Sequence, residues 1–372
     1  MSTSPPSDLF GPYSPLKILH HPGRLKGLRC GLQPTPAQVQ IILSDMCNQS
    51  CQWCSYRVEG NPNNAMFPDA VTGSINPKRM LHYDKVLEIL DDCVELGVAA
   101  IQLTGGGEPT VHPRFLDVLH QVAIRDLDLA LVTNGVRLTE NIIWALMKAK
   151  WVRVSVDAAT AATYGPMRST PPEHFAKVCE HVKALALAKE VSGSALELGV
   201  GFVVSKENWR EILAGTALAR SLEADNIRLS AAFMPEDETY HADHFEAAAD
   251  LCRQAVQEHD GQGGFRVYNR FGERLEDLRQ HHPEYRFCGY QHFTTYIGGD
   301  LNVYRCCNLA YNPRGLIGSL EHQRFKDLWR SEAKTAAFKD FDARGCPRCQ
   351  FNGINRTINY ALDSHAPSVT FV

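Results

Sequence analysis

Short apolar runs alternate with stretches of helical period from about residue 38 to residue 232. The runs "VQIILSD" (39–45), "AAIQLTG" (99–105), "LALVTNG" (129–135), "VRVSVD" (152–157), "LELGVGFVV" (196–204) and "IRLSA" (227–231) are rich in Val, Ile and Leu and read as strands. Between them, "DKVLEILDDCVELG", "PRFLDVLHQVA", "NIIWALMKA", "FAKVCEHVKALALAKE" and "WREILAGTALARSLE" read as helices. Strictly alternating strands and helices predict a parallel sheet with crossover helices. Six such units make a partial barrel or an open sheet, whose chemistry gathers on the loops at the C-terminal ends of the strands.

The pattern changes at "FMPEDETYHADH" (233–244). One helix is expected over about 241–258, then the mixed segment "GGFRVYNRFGERLEDLRQHHPEYRF", then a hairpin, "HFTTYIGGDLNVYRC", turning at Gly298, Gly299 and Asp300. A last helix, "RFKDLWRSEAKTAAFKDF", leads into "CPRC". No repeat of 20 to 50 residues is present. The chain is expected to divide into an N-terminal extension (1–37), a barrel (38–232), a linker with a helix (233–284) and a small α+β domain (285–372).

Composition narrows the classes. Of 372 residues, 44% are apolar and 22% charged, which fits a folded chain long enough for one large and one smaller domain. The net charge of -4, with no basic block, argues against nucleic acid or an anionic membrane as partner. The Pro- and Ser-rich start lacks the apolar core of a signal peptide, and no run of eighteen apolar residues occurs, so a cytoplasmic protein is expected.

Twelve cysteines in such a protein point to metal or redox chemistry rather than disulfides. Cys47, Cys51 and Cys54 follow the first strand directly. A closed zinc site wants four ligands in tetrahedral geometry. Three thiolates on one loop suit three irons of a [4Fe-4S] cube and leave the fourth iron open.

On these residues the chain resembles the radical S-adenosylmethionine (SAM) enzymes, whose motif is CxxxCx(aromatic)C, with Trp53 in the aromatic place. The resemblance implies that SAM chelates the open iron and that one electron cleaves it to a 5'-deoxyadenosyl radical. It continues at other strand ends. "TGGGEP", with Gly105, Gly106, Gly107 and Glu108, looks like the segment that binds the methionine amino group; Asn134 lies in "VTNG" after the third strand. Ser155 and Asp157 match the ribose and carboxylate contacts, Arg168 is placed to meet the SAM carboxylate, and Val203 and Asn208 match the segment that packs on adenine. Each has a plainer reading: a helix cap for Ser155 and Asp157, a turn for Asn134, a solvated surface role for Arg168 and Asn208.

Cys288, Cys306, Cys346 and Cys349 form a second group, which resembles the twitch or SPASM auxiliary domains of the same superfamily. A full SPASM set uses about seven cysteines for two clusters, whereas five lie between 288 and 349, so the twitch form with one auxiliary [4Fe-4S] cluster fits better. Cys307 adjoins Cys306, which leaves two candidates for one ligand. Zinc is the competing occupant, because "CPRC" also suits a zinc knuckle. Cys30, Cys93, Cys179 and Cys252 read as core or helix-face residues.

The fold class implied is α/β: a partial (β/α)6 TIM-like barrel with a small C-terminal α+β auxiliary-cluster domain. The expected reaction begins with hydrogen abstraction from an unreactive C–H bond, with flavodoxin or ferredoxin as electron donor. An electron-accepting second cluster makes the outcome an oxidation of a small molecule or peptide. A redox-neutral epimerisation or rearrangement, with Cys307 or Cys252 returning a hydrogen atom if either faces the barrel mouth, is the alternative; a non-catalytic iron–sulfur or zinc scaffold is the alternative of another class. Only some 37 residues precede the first strand, which favours a small molecule or a peptide presented by a separate protein.

Overall fold

A computed structural model describes residues 11–61 and 78–363. Ten strands among the described residues form one sheet: β1 (Gln38–Ile41), β2 (Ala100–Leu103), β3 (Asp128–Thr133), β4 (Trp151–Ser155), β5 (Glu197–Val204), β6 (Asn226–Ala231), β7 (Arg266–Asn269), β8 (Thr294–Ile297), β9 (Asn302–Tyr304) and β10 (Leu316–Ser319). Their order is β10-β9-β8-β1-β2-β3-β4-β5-β6-β7. Strands β1 to β7 and β8 pair in parallel, and β9 and β10 close one edge antiparallel. The expected α/β architecture, a partial TIM-like barrel, is therefore present.

Helices α1 (Pro22–Arg29) and α12 (Asn352–Leu362) bring the two ends of the described chain together through Ile18, Phe293 and Ile358. The crossover helices are α2 (Tyr83–Glu95), α3 (Phe115–Ile124), α4 (Glu140–Leu146), α5 (Ala161–Arg168), α6 (Glu173–Ser192), α7 (Ile212–Ser221) and α8 (Phe245–His259). They cover the outer face of the sheet. Val152 and Val154, Val200 and Phe202, and Ile227 and Leu229 point outwards and are fully or almost fully buried against them. Each such side chain contributes about 1.5–3 kcal/mol by leaving water.

The inner face differs. Gln38 bonds Gln102 at 2.7 Å, and Asn226 bonds Glu197 at 2.8 Å. Tyr13 enters the barrel from the N-terminal segment and meets Tyr268 edge-on at 5.1 Å. A polar interior with an apolar outer layer is what alternation along each strand gives when only one face meets helices.

The linker region carries β7 and α9 (Phe271–Arg279), which extend the barrel beyond β6. The hairpin turns at Gly298–Asp300 as expected, but β8 pairs along its whole length with β1, so it continues the barrel sheet. The last helix divides into α10 (Phe325–Arg330) and α11 (Glu332–Lys339) at Ser331, whose side chain caps α11 through the Lys334 amide.

Cys252 corrects an expectation. It lies on α8 with Ala248 and Ala255, at i-4 and i+3, and all three are fully buried in the apolar core against the outer face of the sheet. It does not face the mouth. Among the described residues no helix is long and apolar enough to cross a membrane.

Candidate functional site

The loop from Ile42 to Cys54 leaves β1 and is tied down along its length. Asp45 takes a 2.8 Å ion pair from Arg79 and a hydrogen bond from Tyr311. Further on, the Ser50 and Gln52 amides donate to the carbonyls of Arg168 and Met167 at 2.9 and 3.0 Å. Cys47 is the most accessible of the three, although its thiol is partly enclosed, and Cys51 and Cys54 are half-buried beside Trp53. Burial pushes Cys54 up to about 11, with Cys51 the next cause; burial and Glu108 push Cys47 up to about 12, the other two thiols adding to it. Three thiols that resist ionising beside one another suit a cationic metal cluster, which removes that penalty. Among the described residues no three His, Cys, Asp or Glu side chains are drawn together tightly enough to hold a metal ion.

The glycines of "TGGGEP" make room for this loop. A Cβ on Gly107 would lie 1.9 Å from the Met46 carbonyl oxygen, and one on Gly105 would lie 1.8 Å from the Gly107 carbonyl oxygen. The Glu108 and Gly107 amides donate to Met46 and Ser44 at 2.8 and 3.1 Å. Glu108 is buried and accepts from Thr110, from the Thr133 hydroxyl at 2.6 Å and from the Asn134 amide at 2.8 Å. Burial raises its pKa in spite of these donors. Asn134 does more than shape a turn, since its side-chain amide donates to Asn48 at 2.6 Å and joins the end of β3 to the cysteine loop.

Arg168 is fully buried at the end of α5, not on the surface. Its guanidinium pairs with Asp157, donates to the Ser155 carbonyl at 2.9 Å and to Gln49 at 2.7 Å, and lies 3.7 Å from the Cys51 sulfur. Burial works against the cation, but Cys51 and Asp157 hold it protonated. Its Nε is buried without a hydrogen-bond partner among the described residues. Asp157 also accepts from the Val203 amide at 2.7 Å. Asn208, likewise buried, donates to the Asp157 and Val203 carbonyls at 2.7 and 2.8 Å and accepts from the Ser205 amide. These side chains therefore lock β4 to β5. The Ser155 hydroxyl makes no hydrogen bond to a described residue and stays accessible.

Cys288, Cys306, Cys346 and Cys349 line one small cavity, together with Tyr285, Tyr290 and Arg305. Burial pushes Cys288 up to about 12 and Cys306 well above its usual range, with the neighbouring thiols adding. Cys307 does not line this cavity; it packs against Tyr56 and the buried Tyr296 and accepts from Gln350 at 3.3 Å.

A second cavity, of about 160 Å³, opens between Trp53 and Val203 on the barrel side and Arg348 and Gln350 on the other. Asn308 and Arg348 line both cavities and form the wall between them. Cys307 lines neither. Arg228 and Ser230 of β6 also line this second cavity, and sequence reading missed them. Polar residues at i and i+2 within the buried run "IRLSA" were the available signal.

Comparisons with known proteins agree with this geometry. The Radical SAM superfamily model matches residues 41–214, and an iron-sulfur cluster-binding domain, SPASM, matches residues 288–350. The chain is 33% identical over 140 residues (36% of this chain, 38% of the relative) to a tungsten-containing aldehyde ferredoxin oxidoreductase cofactor-modifying protein of Pyrococcus furiosus. It is 27% identical over 177 residues (47% and 56%) to an S-adenosylmethionine-dependent nucleotide dehydratase of Flammeovirga pacifica. These matches span only about a third to just over half of the relatives' own length. In fold, the chain is similar to SuiB of Streptococcus suis bound to its precursor peptide, with TM-score 0.62, 13% identity and coverage of 98% of this chain and 81% of SuiB. It is also similar to anSMEcpe with bound AdoMet, with TM-score 0.58, 14% identity and coverage of 88% and 92%. The radical SAM domain carries with it SAM and a [4Fe-4S] cluster, and the SPASM domain carries auxiliary iron–sulfur binding. The chain is a radical SAM protein with a C-terminal SPASM-type iron–sulfur domain.

Proposed function

We propose that the chain oxidises a C–H bond of a small molecule or peptide, using SAM with a [4Fe-4S] cluster held by Cys47, Cys51 and Cys54 and a second [4Fe-4S] cluster held by Cys288, Cys306, Cys346 and Cys349. When bound at Cys47, Cys51 and Cys54, a cluster would supply the electron that cleaves SAM to the hydrogen-abstracting carbon radical, and one at Cys288, Cys306, Cys346 and Cys349 would take up the electron the substrate radical loses together with a proton. The observation that carries this reading is the common wall: Asn308 and Arg348 separate the cavity beside Trp53 from the cavity lined by the four C-terminal cysteines.

The chain's own residues do the positioning. Trp53 and Val203 bound the mouth and exclude water from the reacting bond. The accessible Ser155 hydroxyl and the unpartnered Arg168 Nε are the groups left to hold SAM. Asp157, Asn208 and Glu108 act on the strands and loops around it. A ferredoxin or flavodoxin supplies electrons from outside. Among relatives and neighbours, the nucleotide dehydratase acts with S-adenosylmethionine and SuiB binds a precursor peptide. With Cys307 outside both cavities, oxidation is favoured over return of a hydrogen atom.

Anaerobic reconstitution tests the reading. About eight irons per chain, falling to about four in the Cys47/Cys51/Cys54→Ala variant, is the expected result, with 5'-deoxyadenosine formed by the wild type alone. Zinc in the C-terminal site, with about four irons falling to none, removes the electron acceptor and the oxidation with it.

A further inference from the structure

The cavity beside Trp53 is charged in one direction. Arg228, Arg274 and Arg348 line it, and no carboxylate does among the described residues. Two of the three cations are already matched. Arg274 pairs with Asp277 at 2.9 Å and donates to the Gln350 carbonyl at 2.6 Å. Arg348 pairs with Asp237 and donates to the Met234 carbonyl at 2.7 Å.

Arg228 is different. It makes no ion pair and no hydrogen bond to any described residue, and its Nε is buried without a partner. Its contact within the barrel is the Tyr13 ring, 5.6 Å from the guanidinium carbon. Desolvation and the nearby Arg153, Arg274 and Arg270 push it down to about 9, so the cation persists at neutral pH but at a cost. Arg228 is half-buried, and its enclosed Nε without an acceptor is costly unless an acceptor arrives.

The strand beside it carries only glycines next to the arginines. Gly201 of β5 is the cross-strand partner of Arg228, and Gly199 is the partner of Arg153 on the other side. The sequence "LGVGF" thus turns Val200 and Phe202 outwards into the core and puts glycines on the inner face, where the Asn226 side chain lies over Gly199 and the Arg153 stem over Gly201. Ser230, on the same face of β6 as Arg228, adds a hydroxyl at the cavity wall. A volume of about 160 Å³ suits an anionic head group with room for part of what carries it.

We propose that Arg228 is the anchor for an oxyanion of the substrate, a carboxylate or a phosphate, which fixes the substrate in the mouth cavity between Trp53 and the Asn308–Arg348 wall. The inference rests on the oxidation reading above and narrows its substrate class to anions. Arg228 presents the planar fork that binds either group through two parallel hydrogen bonds.

Calorimetric titration of the anaerobically reconstituted chain tests it, with inorganic phosphate in one arm and succinate in the other. One site per chain for at least one probe is expected, weakened about tenfold or more in Arg228→Gln, with partial recovery in Arg228→Lys. The better-binding probe identifies the head group. Absence of binding by both probes, or equal binding by wild type and Arg228→Gln, overturns the proposal, and the recovery in Arg228→Lys separates lost charge from lost folding. Repeating the titration with saturating SAM is the second control: unchanged affinity is expected, and competition assigns Arg228 to the SAM carboxylate and overturns the proposal. Failure of the oxidation reading is read separately, from the wild type's iron content and 5'-deoxyadenosine, and leaves the titration interpretable.

Discussion

The guanidinium of Arg168 lies 3.7 Å from the Cys51 sulfur while pairing with Asp157, so one side chain at the end of α5 touches both the cysteine loop and the end of β4. Removing it leaves Asp157 as a buried carboxylate without its counter-ion, held by a single backbone donor from Val203. Arg168→Ala is expected to lower stability by about 3–5 kcal/mol, and Asp157→Asn in the same chain to restore part of that loss, because the stranded charge is then gone. Urea midpoints of the two single variants, the double variant and the wild type measure this coupling; additive losses would show that the pair is not a unit.

Gly105 and Gly107 predict an iron content. An added methyl at either position meets a backbone carbonyl at 1.8 or 1.9 Å, and backbone cannot swing aside as a side-chain tip can. Gly107→Ala is expected to displace the Met46–Cys47 segment and to cut iron from about eight to about four per chain while the C-terminal site stays loaded. Gly272→Ala is the control: on α9 nothing lies within 4 Å of the added carbon, and helix propensity favours alanine by roughly 0.5–1 kcal/mol. Full iron in Gly107→Ala removes the steric argument.

These residues also mark how far the sequence could be read. Strands β1 to β6 were visible because their apolar runs are dense, yet most were drawn too long at their C-terminal ends. "VSVD" looks extended throughout, but Asp157 has φ of 58° and turns the chain out of β4 to face Arg168. Strand β7 escaped because Arg266 and Tyr268 alternate with Val267 over four residues, too short and too polar to stand out. The break at Ser331 was legible in principle, since Ser followed by Glu is a helix start. What periodicity cannot carry is convergence: Asn308 and Arg348 are 40 residues apart and share a wall only once the SPASM-type segment has folded.

Arg305 bears on the second cluster. It is buried beside the four C-terminal cysteines, and although burial pushes it down to about 10, Cys288, Cys306 and Cys346 are the groups that favour its charge. A positive charge there stabilises the more negative, reduced state of a bound cluster and so favours electron acceptance. Arg305→Gln is expected to move the auxiliary potential negative by tens of millivolts, the scale of one charge screened by protein, in a redox titration followed by electron paramagnetic resonance. A potential that does not move, with the cluster still present, removes the guanidinium from the account of electron acceptance.

His241 sets an acid limit on stability. It is buried in the 3-10 turn before α8, with one ring nitrogen 3.0 Å from the Ala232 carbonyl and the other 3.2 Å from His244. Desolvation, with His244 and Lys206 adding, pushes it down to about 4 from the usual 6.5. The neighbouring charges on other elements include Glu207 and Arg210, which act on His244 in opposite directions. The sign follows from proton counts. Between pH 6.5 and 4 the unfolded chain binds a proton that the folded chain refuses, so stability falls as pH falls through that window and is fully present above it. The loss from this one group is on the order of 3 kcal/mol. His241→Gln, which keeps an amide able to reach Ala232 and cannot titrate, is expected to lose less of its thermal midpoint than the wild type between pH 7 and pH 4. Parallel curves for the two proteins over that range would assign the acid sensitivity to other groups.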